Sequence, residues 1–95
     1  ITPALIINIV ADHFGVKPED ITSKRRNSEF VLPRQVVMYL CRNLIDISLE
    51  NIATILNKKD HTTVMHGCKR IENEIMNNVD FKNKVDIIIK KINPS

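Results

Sequence analysis

Apolar residues recur at spacings of three and four along nearly the whole chain, and no stretch alternates with period two; this pattern predicts helices throughout. A first helix is predicted over about Pro3 to His13, with Leu5, Ile6, Ile9 and Val10 as its buried stripe. Thr2 suits its N-cap, Pro3 its first turn and Gly15 its end. Lys17-Pro18-Glu19-Asp20-Ile21 predicts a short second helix, because proline and carboxylates favour a helix N-terminus. Thr22 to Val31 is polar and reads as a loop carrying the run Lys24-Arg25-Arg26. A third helix is predicted from about Pro33 to Ile45, burying Val36, Val37, Leu40, Cys41 and Leu44. Its other side carries Arg34, Met38 and Arg42, and the pattern leaves Met38 open between surface and core. Ser48 caps a short helix that turns Leu49, Ile52, Ala53 and Leu56 inward. Asn57-Lys58-Lys59 makes a turn, and Asp60 caps a long helix running to about Asn77. Asp80 then caps a last helix with Phe81, Val85, Ile88 and Ile92 on one stripe.

Six helices with short connections predict a compact all-α architecture, and 95 residues suit one small domain spanning residues 1–95. Composition agrees, with 43% hydrophobic and 26% charged residues, a balance that excludes a disordered chain. No apolar run approaches the roughly 20 residues of a membrane-spanning helix. The start ITPALIINIV lacks an initiating Met and a cationic leader, so it is expected to be cut from a longer chain. Two glycines, Gly15 and Gly67, cannot build a loop that cradles nucleotide phosphates, so no cofactor is expected in this stretch. Both cysteines lie in apolar helical patterns, which predicts reduced, buried thiols and a cytoplasmic setting.

Charge changes the picture. The net charge is +3, yet Lys24 to Arg70 holds nine basic residues against four acidic ones, while the remainder is mildly acidic. One positive face directed at a polyanion fits that asymmetry. Within the positive part, a short helix, a tight turn and a longer helix over Ser48 to Ile71 have the layout of a helix-turn-helix. At about 100° per residue, Val64, Cys68, Ile71 and Ile75 form a stripe within about 40° of one direction. Thr62, His66, Lys69, Arg70 and Asn73 lie opposite, between about 140° and 240°, with Glu72 and Glu74 on the flanks. A cationic face free of carboxylates is what a helix needs to enter a DNA groove.

Asp60-His61-Thr62-Thr63-Val64-Met65-His66-Gly67-Cys68-Lys69-Arg70-Ile71 closely resembles the signature of the DnaA family of bacterial replication initiators, in its C-terminal DNA-binding domain. Lys24-Arg25-Arg26, then Pro33-Arg34-Gln35, then Met38-Tyr39-Leu40-Cys41-Arg42 match a second block of that family. The resemblance covers nearly the whole chain and implies a Trp-repressor-like helix-turn-helix in the six-helix domain. Two positions depart from the family. Gly67 stands where alanine or serine is usual, at a cost of about 1 kcal/mol of helix propensity that a close backbone approach could repay. Glu50 stands where many members have proline, and a carboxylate there would repel phosphate, so that contact is not carried over.

The resemblance implies double-stranded DNA as partner, at the short, AT-rich DnaA boxes of an origin, with other copies of the initiator alongside. It implies that Asp60, His61 and Thr62 read bases in the major groove, while Arg26 enters the adjacent minor groove. Physically, Asp60 can accept from a cytosine amine, the Thr62 methyl can pack on thymine, and a narrow AT-rich minor groove attracts arginine. Asp60 also suits a helix N-cap, and the wheel position of His61 would equally suit a partly buried structural histidine. Lys24, Arg25, Arg34, Gln35, Arg42, Lys59, Thr63, His66 and Lys69 match positions that hold backbone phosphates, contacts that set register without reading sequence. ATP belongs, by the same resemblance, to a separate domain of the parent chain, and the implied location is the bacterial cytoplasm at the nucleoid.

Four other readings are weaker. His61, His66 and Cys68 cannot converge on one metal ion, since His66 faces away from the other two. Neither cysteine is placed as a nucleophile, because both lie on core stripes, so no enzymatic activity is expected here. A protein-docking helical module would require neither the acid-free helix face nor the separate cationic loop. Membrane-surface binding would rest on the first helix alone, whose Asp12 opposes anionic lipid.

Overall fold

The computed structural model describes residues 1–94, and among them six α-helices and no strand are present. They are α1 (Pro3–Phe14), α2 (Pro18–Ile21), α3 (Ser28–Leu44), α4 (Leu49–Ile55), α5 (His61–Asn77) and α6 (Val79–Ile92). Most ends carry the caps that the local sequence provides. Thr2 Oγ1 accepts from the Leu5 N–H at 3.2 Å. Gly15, at φ 69°, closes α1 in the left-handed conformation that glycine adopts without penalty. Ser48 Oγ accepts from the Asn51 N–H at 3.2 Å.

The middle helix, α3, packs against α1, α2, α4 and α5, and α6 closes the fold by lying on α1 and α5. Ile6, Val10, Ile21, Val36, Val37, Leu40, Ile52, Leu56, Val64, Ile71 and Ile88 form one continuous core. The radius of gyration is 12.1 Å, close to the roughly 12 Å of a compact chain this long.

Several sequence expectations are corrected. In α1 the buried residues are Ile6, Ile7, Val10 and Ala11, while Leu5 is 38% exposed, so the stripe is turned by one residue. Helix α3 begins at Ser28 rather than Pro33, which shortens the preceding loop to residues 22–27. Pro33 therefore sits inside a helix, where it offers no N–H to the Glu29 carbonyl. Burial of Phe30 and Pro33 on the same face as Val37 and Cys41 offsets that loss. Asn78, not Asp80, caps α6; its Oδ1 accepts from the Phe81 N–H at 3.1 Å. Its own N–H closes α5 on the Glu74 carbonyl at 2.9 Å. One residue serves both helix ends, leaving Asp80 inside the first turn of α6.

The approach of α3 to α5 explains Gly67. A Cβ at that position would collide with the Met38 sulfur, and would meet Gln35 Cγ at 3.2 Å. Met38 belongs to the core, at 2% exposure. The glycine thus exchanges helix propensity for close packing of the two longest helices.

Candidate nucleic-acid interface

The N-terminal turn of α5 is built by Asp60. Its Oδ1 accepts from the Thr62 N–H at 2.9 Å, leaving the carboxylate exposed. That backbone bond, with a second from the Thr62 side chain, holds the Asp60 carboxyl below the ordinary carboxylate range. His61 is not a core histidine: its side chain is 51% exposed, with Nδ1 3.8 Å from Asp60 Oδ1. Thr62 is half-buried and Thr63 exposed. No acidic residue lies in the first helical turn itself. Backbone N–H groups at a helix start favour an anion, and hydroxyl, imidazole and carboxylate groups here present both donors and acceptors. Further along the same side, His66, Lys69, Arg70 and Asn73 are exposed, while Val64 and Ile71 face the core.

The basic loop is anchored from beneath by Arg34. This residue is 4% exposed. Its Nε donates to the Ile21 carbonyl at 2.6 Å, Nη1 to the Arg25 carbonyl at 2.9 Å, and Nη2 to the Asp20 carbonyl at 2.9 Å. Nη2 also approaches Ser23 Oγ at 3.4 Å. The expected phosphate contact of Arg34 is therefore corrected: the guanidinium faces inward and spends its donors on the chain that carries Lys24, Arg25 and Arg26. Those three side chains are exposed. The Arg25 guanidinium lies 5.6 Å from the centroid of the Phe30 ring, a cation–π contact between the loop and the first turn of α3.

The basic loop and α5 flank a common trough. Arg26 lines one cleft of about 300 Å³ with Lys58 and Thr63, floored by Arg34, Gln35 and Met38. It lines another of about 430 Å³ with Arg70, where the acidic Glu29 also contributes to the wall. Lys58 is half-buried there; burial first, then the like charges of Arg34, Arg26 and Lys24, hold its ammonium below the usual lysine range. Mutually repelling cations crowded on one side of a fold make a strong positive field.

The remaining expected positions divide by environment. Lys59, Thr63, His66 and Lys69 are exposed on the side of the trough or along α5. Gln35 is half-buried and its Oε1 accepts from Arg70 Nη1 at 2.7 Å, joining α3 to α5. Arg42 donates through Nη1 to the Ile47 carbonyl at 3.1 Å and pairs with Asp46 at 3.6 Å, so part of its guanidinium closes the end of α3. Sequence reasoning placed Asn57 and Lys58 only in a turn, and it set Arg70 on the open face of α5 without assigning it a contact. Asn57 Nδ2 donates to the Thr22 carbonyl at 3.0 Å. The signal for it was present: asparagine at a tight turn tolerates the left-handed conformation, here φ 58°. Away from the trough, burial, with a smaller contribution from Cys68, pushes the Cys41 thiol up to about 11, which keeps it protonated at neutral pH.

Comparison with known proteins agrees with this architecture. Residues 3–71 match the family model described as bacterial dnaA protein helix-turn-helix. The chromosomal replication initiator protein DnaA of Lachnoclostridium phytofermentans is 42% identical over 95 residues, all of this chain and 21% of that protein. The protein of the same name from Treponema pallidum is 36% identical over the same length, covering 20% of it. The chain thus spans about a fifth of the length of these curated relatives. A crystal structure described as a DNA replication initiation factor superposes with a TM-score of 0.85 at 38% identity, over 95% of this chain and 27% of the other. Six helices, a helix-turn-helix at α4 and α5, and a family match over most of the sequence make this chain a member of the bacterial DnaA helix-turn-helix family.

Proposed function

We propose that this domain binds double-stranded DNA at the DnaA boxes of a bacterial replication origin, with α5 in the major groove and the basic loop in the adjacent minor groove. Asp60, His61 and Thr62 read base edges, and Arg26 reads the narrow AT-rich groove. Lys24, Arg25, Gln35, Arg42, Lys59, Thr63, His66 and Lys69 hold backbone phosphates, joined by Lys58 and Arg70. The observation that carries this reading is the trough in which Arg26 faces Thr63 and Lys58 on one side and Arg70 on the other. A strand of duplex DNA crossing between its two grooves presents phosphates to such a trough while each flank enters a groove.

The same reading places ATP and its chemistry in another domain of the parent initiator, with further initiator copies bound along the origin in the cytoplasm. The direct test is a titration of two labelled duplexes, one carrying a DnaA box and one with that sequence scrambled. Tighter binding to the box by about a hundredfold or more supports sequence reading. Equal binding would leave only a cationic surface.

A further inference from the structure

We infer that Asn57 is a positioning residue that ties the basic loop to the turn of the helix-turn-helix, so that the two DNA-facing elements dock as one piece. This rests on the reading that both elements contact duplex DNA. Thr22 is the residue at which α2 ends and the loop begins. Its carbonyl accepts from Asn57 Nδ2 at 3.0 Å, across 35 positions of sequence. The turn is itself fixed to α4: the Asn57 N–H donates to the Thr54 carbonyl at 3.2 Å, and the Lys58 N–H to the Ala53 carbonyl at 2.8 Å. Loop and turn face one another across a cleft of about 360 Å³ lined by Lys24 and Arg26 on one side and Asn57, Lys58 and Lys59 on the other. The Arg25 carbonyl, next to Arg26, is held separately by Arg34. With the loop gripped at both points, the distance from Arg26 to the start of α5 is set before DNA arrives, so little ordering remains to oppose binding.

The consequence falls on selectivity. Long-range attraction depends on how many cations are present, whereas entry of Arg26 into a groove depends on where the loop stands. Asn57→Gly removes the donor but keeps the left-handed conformation easily accessible. The experiment measures Kd for box and scrambled duplexes with the original protein, Asn57→Gly, Arg26→Lys and the double variant, with circular dichroism confirming helix content. In Asn57→Gly, preference for the box is expected to fall between about twofold and tenfold, the worth of one hydrogen bond. Scrambled-duplex affinity and its salt dependence should not move. In the Arg26→Lys background the same change should have little further effect, because the selectivity it supports runs through Arg26. A merely structural role would not show that coupling. Should Asn57→Gly be poorly helical, Asn57→Asp also tolerates the left-handed turn and lacks the donor, and its box-to-scrambled ratio is read instead. An unaltered ratio, or an equal loss in the Arg26→Lys background, overturns the proposal. If the original protein itself fails to prefer the box, the DNA reading falls along with it; if it discriminates and the variant does so equally, the tether alone is rejected.

Discussion

Arg34 Nε donates to the Ile21 carbonyl at 2.6 Å, so a side chain from the middle helix holds the end of α2 and the start of the loop that follows. Three main-chain carbonyls share that guanidinium. Arg34→Ala would leave them without a charged donor in a buried place, and is expected to lower the unfolding free energy by about 2–4 kcal/mol. Arg34→Lys should recover only part of it, because an ammonium cannot span the carbonyls that a planar fork reaches. Urea unfolding measures both. A loss below about 0.5 kcal/mol, the usual range of an exposed site, would return Arg34 to the surface.

Gly67 and Met38 are coupled by packing. Gly67→Ala gains helix propensity but forces the Met38 sulfur and Gln35 to move, and overpacking of this kind costs about 1–3 kcal/mol. The expected net is a loss of roughly 1 kcal/mol. Met38→Ala opens the space, so Gly67→Ala should become neutral or stabilising in that background. Additive effects of the two substitutions would show that the contact carries no strain.

The helices were legible because their periodicity is strong, as in Val64, Ile71 and Ile75 or Val85, Ile88 and Ile92. The start of α3 was not, since Pro33 reads as a first-turn residue when tertiary burial is unseen. Phe30, Pro33 and Val37 already keep helical spacing across the proline. Helix α5 and its cap were readable for the same reason as the core: Asp60 precedes a sharply two-sided segment. Arg34 was misread because a surface arginine and one that binds backbone carbonyls are identical in sequence. Asn57 was passed over because its partner, Thr22, lies 35 residues away.

Acid should weaken the start of α5. The Asp60 carboxyl titrates below its ordinary value because the charged form accepts from Thr62. Its contribution is therefore fully present above the ordinary carboxylate range and lost as pH falls below about 4 through the lowered folded value. Asp60→Asn keeps an acceptor that does not titrate. The stability gap between the two proteins, followed by urea midpoints from neutral pH downward, should shift in favour of the Asn variant as pH falls. A gap independent of pH would detach the carboxylate from the cap.

Two pairs of substitutions separate base reading from phosphate holding. Thr62→Ala should cost about 1–3 kcal/mol on the box and little on scrambled duplex. Lys69→Ala should weaken both alike and reduce the salt slope by about one. Equal weakening of both duplexes by Thr62→Ala would remove it from the base-reading set. In the loop, Arg26→Lys keeps the charge but loses the planar fork, and should cost roughly 1 kcal/mol or more of box preference. Arg25→Lys, whose head group rests on Phe30, should leave that preference nearly intact. Indistinguishable losses from the two variants would reduce the loop to an electrostatic anchor.

In the proposed complex the trough and both its flanks grip one duplex through many phosphates at once. Six to eight cation–phosphate contacts would give a slope of log K against log salt on the order of −5 to −7. Arg34 is buried and its donors are taken, whereas Lys58 and Arg70 join the set, a net gain of one contact, so the expected slope becomes about −6 to −8. Titrating the box duplex from low to physiological salt measures it directly. A slope in that range, with the box still preferred over the scrambled duplex at each salt concentration, is the predicted result. A slope near −1, or a preference that vanishes as salt rises, would contradict the two-groove docking.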